Sequence, residues 1–309
     1  MAKNELSIED KKLIEFLAKY RIISMVDAKK IYNSEWYYRK RLKKLVEKDY
    51  IKRYKYYYII LSKNGRKFVN LVGKEYIKNT NNEAYMERLK MISNIATLTI
   101  DSEAKFIPSW KVKDRNIFTE TGRKYIGEME INKNKYIVYY LECKKGNTYV
   151  KQLIYDINKT INYQRLIIFV DEYDIIKKMF DNFVFDKKCS LIIRNTDENK
   201  KLITRYYKID FYEILKNIYD EVILVSNWDK ADYVINENHY IVNMIFIDSA
   251  KINELNWFYR ENIDTDKIVD IVTLTENINV LREILTNKCN LIELPKIGEC
   301  ENDERVEET

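Results

Sequence analysis

Histidine and paired cysteines, the residues that most often hold metals in proteins, are nearly absent from this 309-residue chain. His239 is the single histidine, and the four cysteines are scattered without a Cys-x-x-Cys pair. The sequence therefore gives no support to a zinc site made of Cys and His, and it implies no disulfides. It also offers no Ser/His/Asp set that could be nominated around His239.

Glycine and proline are scarce as well, with six and two residues. Neither a G-x-x-x-x-G-K-[ST] phosphate loop nor a dinucleotide fingerprint occurs, so ATPase and dehydrogenase activities have no support. No apolar run approaches the length of a membrane span, and the N-terminus lacks the apolar segment of a signal peptide. We therefore expect a soluble, cytoplasmic protein that binds no cofactor and contacts no membrane.

Positive charge is concentrated in the N-terminal part of the chain. Residues 1–80 hold 21 Lys or Arg and 9 Asp or Glu, a net charge of +12. The remainder holds the other 33 of 54 basic and 39 of 48 acidic residues, a net charge of −6. This asymmetry predicts one nucleic-acid face in the N-terminal part, because phosphates attract clustered Lys and Arg.

The pattern within residues 1–78 predicts a winged helix-turn-helix domain. Ser7 and Ser24 are N-cap signals for two helices, and Asn33 or Ser34 caps a third. Two short strand patterns, joined by a very tight turn, and a closing helix follow; their ranges are 51–54, 56–61 and 62–72. In such a domain the third helix fits the major groove, and the hairpin, or wing, lies along the DNA backbone.

The third helix combines an apolar stripe with a cationic face. Its apolar residues recur at i, i+4, i+7 and i+8, and they are Tyr38, Leu42, Leu45 and Val46. That stripe must face the other helices, which leaves the opposite side for solvent or a major groove. We expect the DNA contacts of this helix and of the wing to be Trp36, Tyr37, Arg39, Lys40, Arg41, Lys43, Lys44, Lys52, Arg53 and Lys55. The alternative is a helix face that is merely solvated.

Residues 83–170 have the order α-β-β-β-α-β, which is the order of the restriction-endonuclease-like core. The expected helices cover 84–98 and 148–161, and the expected strands cover 104–112, 124–131, 136–142 and 166–170. Glu142 and Lys144 stand two apart at the end of the third strand, so both point to one face. They are the E-x-K half of a PD-(D/E)xK site, in which carboxylates hold Mg²⁺ and the lysine assists the attacking water. Gln152, on the next helix, stands where several such nucleases carry a helper glutamine.

The other half of that site departs from the nuclease pattern. Pro108-Ser109 stands where a Pro-Asp is expected, and a hydroxyl is a weak Mg²⁺ ligand. Asp114, Glu128 or Glu130 could substitute if the fold brings one near. The alternative is that Glu142 and Lys144 are an ordinary surface acid and base. We therefore expect a protein that binds rather than an enzyme.

Several segments also resemble a known family. The segments "RIISMVDAKKIY", "RLKKLVEKDYIKR" and "YYIILSKNGRKFV", in this order, look like the head of the replication-relaxation proteins of plasmids and other mobile elements. The segment "YYLECKKGNTYVKQLIYDINKTINY" is similar to that family's strand-turn-helix segment. The resemblance covers roughly residues 8–170, and it implies a winged helix followed by a nuclease-like domain.

The C-terminal part alternates helix and strand patterns, which predicts an α/β extension or a third domain of parallel-sheet type over residues 171–298. The expected helices are 173–183, 211–219, 252–259 and 278–286. The expected strands are 191–194, 201–207, 222–225, 240–247, 268–274 and 291–294. The last segment, 299–309, carries six acids and one arginine and is expected to be a disordered acidic tail.

These observations favour a sequence-specific, double-stranded-DNA-binding protein of a plasmid or other mobile element. Its role would lie in replication, replication control or transfer, with replication or transfer proteins as partners. Either a homodimer or repeated DNA sites are expected, because one winged helix covers only a few base pairs. Two alternatives are a Mg²⁺-dependent nuclease targeted by the winged helix and a transcriptional regulator whose body senses a ligand or partner.

Overall fold

A computed structural model describes residues 6–32, 34, 36–71, 76–77, 80–100, 102–113, 124–160, 163–180, 188–221, 223–262, 266–285 and 288–294. The chain is of mixed α+β class, as the sequence predicts. It divides into two compact units, residues 1–135 and 136–309. The predicted boundaries at 79–82 and after residue 170 fall inside these units, and the expected tail at 299–309 lies outside the described residues.

The first unit begins with four helices and a small sheet. These elements are α1 (Ile8–Tyr20), β1 (Ile23–Ser24), α2 (Met25–Tyr32), α3 (Tyr37–Glu47), β2 (Ile51–Tyr54), β3 (Tyr58–Leu61) and α4 (Lys63–Phe68). The strands form an antiparallel sheet in the order β1-β3-β2. The sequence did not predict β1, because a two-residue strand has no periodicity to recognise.

The N-caps of the first two helices form as predicted. Ser7 Oγ accepts a hydrogen bond from the Asp10 amide at 3.2 Å, and Asp10 Oδ2 accepts one from the Ser7 amide at 2.9 Å. This reciprocal pair is a capping box, which satisfies two amides that the helix itself cannot. Ser24 Oγ accepts from the Asp27 amide at 2.9 Å in the first turn of α2.

A close backbone approach fixes α4 against the turn between α3 and β2. Gly65 is buried, and a Cβ at this position would lie 2.1 Å from the Tyr50 carbonyl oxygen and 2.9 Å from Leu61 Cδ2. Only glycine fits this approach without displacement of the Tyr50 backbone. The closing helix ends at Phe68, earlier than the sequence predicts, and Val72 lies outside the described residues.

The remainder of the first unit consists of α5 (Glu83–Ala96), β4 (Lys105–Pro108), α6 (Ser109–Lys113) and β5 (Gly127–Ile131). β4 and β5 pair antiparallel. The predicted strand over 104–112 is wrong in its second half. The chain turns into a helix at Ser109, whose amide donates to the Ile126 carbonyl at 2.9 Å.

We call residues 6–71 the head. The helix α5 packs on the three-stranded sheet of the head. Met86 and Leu89 of α5 form a buried cluster with Ile22 and Ile60. Ser93 Oγ donates to the Ile22 carbonyl at 2.5 Å. The helix that sequence patterning assigned to a separate second domain therefore shares a core with the head.

The second unit contains three adjacent strands that run parallel. Its elements, in chain order from the unit boundary, are β6 (Asn134–Leu141), α7 (Asn147–Asn158), β7 (Arg165–Val170), α8 (Asp174–Phe180) and β8 (Cys189–Arg194). β6, β7 and β8 run parallel in that order. Residues 166–170 of β7 are fully buried, which explains their continuous apolar sequence.

A five-stranded sheet completes the second unit. The further elements are α9 (Asp197–Arg205), α10 (Phe211–Lys216), β9 (Leu224–Val225), β10 (Tyr233–Asn236), β11 (His239–Asn243), β12 (Ile247–Asp248), α11 (Ser249–Glu261), β13 (Ile268–Leu274), α12 (Ile278–Ile284) and β14 (Cys289–Leu294). The sheet order is β14-β13-β11-β10-β9, with β11, β13 and β14 parallel. β12 instead pairs antiparallel with β8.

Two strand predictions in this unit are wrong. Residues 201–205 belong to α9 and not to a strand, because Thr196 caps that helix by accepting from the Asn199 amide at 3.2 Å. The strand expected over 240–247 ends at Asn243, and β12 then joins the other sheet. Across the described ranges, no helix is both long and apolar enough to cross a membrane.

Candidate nucleic-acid interface

One side of α3 is packed into the head. Tyr38, Leu42 and Leu45 are buried, as their spacing predicts. Val46 was expected with them but is 39% exposed, one residue before the end of the helix. At the start of α3, Ser34 Oγ accepts from the amide of the first helical residue at 3.2 Å, whereas Asn33 lies outside the described residues.

The opposite side of α3 is cationic and exposed. The exposed cations of the helix are Arg39, Lys40, Lys43 and Lys44. Trp36, directly before the helix, is 78% exposed, and Tyr37 is also exposed. The helix contains one acid, Glu47, at its last position. This side therefore presents clustered positive charge with aromatic rings at its N-terminal end.

Aromatic rings hold Arg39 in place. Its guanidinium carbon lies 5.6 Å from the centroid of the Trp36 ring and 5.8 Å from that of Tyr38. Its Nε donates to the Tyr38 hydroxyl at 3.2 Å. A guanidinium that is already oriented loses less conformational entropy when it binds a phosphate or a base edge.

Arg41 has a different role from its neighbours on α3. Its side chain is partly buried, and its guanidinium forms an ion pair with Asp10 of α1, with Nε 3.2 Å from Oδ1. Burial alone would raise the pKa of Asp10, but hydrogen bonds from Arg41, the Ser7 amide and Tyr32 outweigh burial and lower that pKa. The structure thus assigns Arg41, expected as a DNA contact, to holding α3 against α1.

The hairpin of β2 and β3 carries the other expected cations. Lys52, Arg53 and Lys55 are all exposed. The strands pair from Ile51 with Leu61 to Tyr54 with Tyr58, and a turn of three residues, 55–57, joins them. The hairpin forms as predicted, but its second strand begins at Tyr58 and not at Tyr56, so the turn is longer than the sequence predicts.

Two aromatic residues at this turn were not among the expected contacts. Tyr56 is 84% exposed and Tyr57 is 73% exposed. The run YKYYYIIL is continuously β-forming and lacks the Gly or Asn that normally marks a turn, so the sequence predicts a strand at Tyr56. The sequence feature that marks these exposed aromatic residues is the run of three consecutive tyrosines at 56–58.

The expected E-x-K pair meets, but not through the predicted strand geometry. β6 ends at Leu141, so Glu142 and Lys144 lie in the turn after the strand, where alternation no longer applies. Lys144 Nζ nevertheless lies 3.1 Å from Glu142 Oε2, and Lys145 Nζ lies 3.6 Å from it. Glu142 is 8% exposed, whereas Gln152 is exposed on α7.

Ser109, which stands where the nuclease pattern has aspartate, is bound by a cation. Arg88 Nη2 donates to Ser109 Oγ at 3.1 Å. The same guanidinium donates to the carbonyl oxygens of Lys124 and Tyr125. A guanidinium beside Ser109 would repel a metal ion held there.

The other acids that were expected to complete the metal site do not form one cluster among the described residues. Asp114 lies outside the described residues. In β5, Glu128 is buried and Glu130 pairs with Lys105, whose Nζ is 3.4 Å from the carboxylate. Within the described part of the chain, no group of three or more His, Cys, Asp or Glu is placed to hold a metal ion.

A second carboxylate, which the sequence pattern does not indicate, follows the strand next to the one that precedes Glu142. Asp171 follows β7 directly, and its Oδ1 accepts from the Cys143 amide at 2.6 Å and from the Glu172 amide at 3.0 Å. Because β6 and β7 are adjacent and parallel, Glu142 and Asp171 follow the same edge of the sheet. The hydrogen bonds of Asp171 fix the turn after β6 to the end of β7.

Comparison of the chain with family models, with curated proteins and with solved structures finds no match.

Proposed function

We propose that the head is a winged helix-turn-helix domain and that the protein binds double-stranded DNA through it. The order of its helices and strands and the sheet order β1-β3-β2 support this proposal. In this arrangement α2 and α3 are the helix-turn-helix pair, α3 enters the major groove, and the β2–β3 hairpin follows the backbone as the wing.

The observation that carries the proposal is the division of α3 into two sides. Tyr38, Leu42 and Leu45 hold one side in the core, while the other side presents the exposed cations of the helix. A cationic helix that projects from a rigid core can approach a phosphate-lined groove, and release of condensed counterions then favours binding. The aromatic support of Arg39 favours a base or phosphate contact from a defined position.

Three further parts of the proposal rest on the sequence. The resemblance to replication-relaxation proteins supports a role on a plasmid or other mobile element, in replication, its control or transfer. The second unit, with its net negative charge, then serves as a platform for replication or transfer proteins. Two copies of the chain, or repeated DNA sites, supply the affinity that one short contact cannot.

Fluorescence anisotropy with a labelled 30-base-pair duplex of mixed sequence tests the interface. We expect Arg39→Glu combined with Lys43→Glu to weaken binding by more than about a hundredfold at low salt, because two attractive charges become repulsive. Both residues are exposed, so circular dichroism should show an unchanged fold.

Lys11→Glu combined with Lys12→Glu is the matched control. Both lysines are exposed on α1, and the change in net charge is the same. If the two double variants lose equal affinity, binding depends on overall charge and α3 is not the interface. If neither loses affinity, the proposal fails.

Selection from a random-sequence duplex library tests sequence specificity. Enrichment of a short site that recurs as repeats at a replication origin would support the role in replication. Enrichment of a site confined to a promoter would favour the transcriptional regulator instead. A failure to enrich any sequence would refute specific recognition.

A further inference from the structure

The tip of the β2–β3 hairpin exposes two large aromatic side chains. Among the tyrosines of the described residues, Tyr56 and Tyr57 are the two most exposed. An aromatic ring that is left in water forgoes the burial that normally stabilises it. Two adjacent exposed rings at the end of a hairpin are therefore a candidate contact surface.

The backbone at this tip is strained. Lys55 and Tyr56 have φ angles of +45° and +60°, in the left-handed region that disfavours residues with a Cβ. Glycine or asparagine would adopt this conformation at lower cost. A glycine or asparagine would relieve this backbone strain. Tyr56 therefore destabilises the turn, which suggests that its side chain serves a contact rather than stability.

The stem below the tip is held rigidly. The Tyr57 carbonyl accepts from the Met25 amide at 2.8 Å, which ties the tip to the first residue of α2. Tyr58 lies under the ammonium group of Lys90, 4.7 Å from its ring centroid, and the Tyr54 hydroxyl donates to the Thr80 carbonyl at 3.1 Å. The exposed rings therefore project from a fixed support.

Positive charge flanks the exposed rings. Lys52 and Arg53 are exposed on β2, and Lys55 begins the turn itself. Cations that follow a phosphate backbone, next to aromatic rings on which bases stack, are the elements of a surface for unpaired nucleotides. Stacking does not require a particular base, because every base has a π-face.

We propose that Tyr56 and Tyr57 stack on unpaired bases at a junction between double- and single-stranded DNA, so that the protein prefers forked DNA to uninterrupted duplex. This inference rests on the proposed function, since α3 is the part that holds the duplex. The tyrosines then contact bases that have left the stack, while the cations of the stem contact the adjacent phosphates.

Anisotropy with two probes tests the preference. One probe is a 20-base-pair duplex, and the other is the same duplex extended by two unpaired arms. We expect the wild-type protein to bind the fork about tenfold more tightly. A 2-aminopurine placed at the first unpaired position should change in fluorescence when a tyrosine stacks on it.

Two double variants test whether the aromatic rings cause the preference for forked DNA. Tyr56→Ala combined with Tyr57→Ala should reduce fork affinity to the duplex value and remove the 2-aminopurine signal. Tyr56→Phe combined with Tyr57→Phe should retain both, because stacking needs the ring and not the hydroxyl. If the alanine variant keeps the fork preference, the inference is overturned.

The same measurements separate this inference from the proposed function. If the wild-type protein binds duplex and fork equally, the junction preference is refuted while duplex binding stands. If it binds neither, the proposed function fails and the inference fails with it. Arg39→Glu combined with Lys43→Glu should weaken binding to both probes.

Tyr56→Gly provides an independent readout. Glycine relieves the left-handed strain, so the midpoint of thermal unfolding should rise by a few degrees while the fork preference falls. An unchanged fork preference would overturn the inference.

Discussion

The carboxylate of Asp10 and the guanidinium of Arg41 form an ion pair between α1 and α3. Asp10 is fully buried, and its Oδ1 also accepts from the Tyr32 hydroxyl of α2 at 2.9 Å. One carboxylate therefore joins α1, α2 and α3. Because it holds α3 from the middle of the helix, this ion pair sets the direction in which the exposed cations point.

Asp10→Asn should destabilise the first unit by about 3–5 kcal/mol. The change removes the charge that compensates the partly buried Arg41, and breaking one partner of such a pair is costly. Chemical denaturation followed by circular dichroism would measure the loss. Glu15→Gln removes a charge from an exposed position of the same helix and should change stability by less than about 0.5 kcal/mol. Equal effects of the two variants would contradict the role of Asp10.

The same carboxylate should make the head sensitive to acid. Its pKa is lower in the folded protein than its ordinary value of 3.8. A lowered folded-state pKa contributes stability above pH 3.8, and this contribution is lost as the pH falls below 3.8 and through the folded-state pKa. The stability difference between wild type and Asp10→Asn should therefore be constant near neutral pH and shrink below about pH 4. A difference that grows with acidity would contradict the lowered pKa.

Gly65→Ala should destabilise the head by about 1–3 kcal/mol or more, since the added methyl group would meet the Tyr50 carbonyl oxygen at 2.1 Å. Gly146→Ala is the matched control, because nothing lies within 4 Å of a Cβ at that position. Thermal unfolding of both variants would measure the contrast. If Gly65→Ala is as stable as Gly146→Ala, the contact between α4 and the Tyr50 backbone is looser than described.

Lys43→Gln should reduce the salt dependence of duplex binding. Each phosphate contact contributes about 0.9 to the slope of log K against log salt, so the loss of one contact lowers the slope by about one. Anisotropy titrations at four or five salt concentrations would measure it. Lys12→Gln, on the exposed surface of α1, should leave the slope unchanged. An unchanged slope for Lys43→Gln would remove this residue from the interface.

Supercoiled plasmid incubated with the protein and Mg²⁺ or Mn²⁺ should remain intact. Ser109 supplies no charge for a metal and already accepts from Arg88, and Asp171 is hydrogen-bonded to two backbone amides. Gel electrophoresis of the plasmid would detect nicking. Metal-dependent nicking that disappears in both Glu142→Ala and Lys144→Ala would contradict this expectation and establish a nuclease.

Local sequence signals predict the head well. Caps such as Ser7 and Ser24 act within three residues, and the stripe from Tyr38 to Leu45 is set by helical spacing, so both are visible in a short window. The exposed cations of α3 follow from the same spacing. These features are determined by neighbours in the sequence.

Features that depend on distant residues could not be predicted. Arg41 looks like the other cations of α3, and its partner Asp10 lies 31 residues away. The strand expected at 201–207 is rich in β-branched and aromatic residues, but the cap at Thr196 and the burial of Ile203 and Thr204 favour a helix. A pattern specifies which side of an element is apolar, while tertiary contacts determine which polar groups remain available.

The packing of α5 on the head has a consequence for how this protein can be divided. Removal of Met86 and Leu89 would uncover Ile22 and Ile60, which lie beneath the hairpin and its neighbouring strand. A recombination junction at residues 79–82 would thus transfer the proposed DNA-binding surface without the helix that covers its core. The smallest part of this chain that keeps Ile22 and Ile60 buried runs past α5.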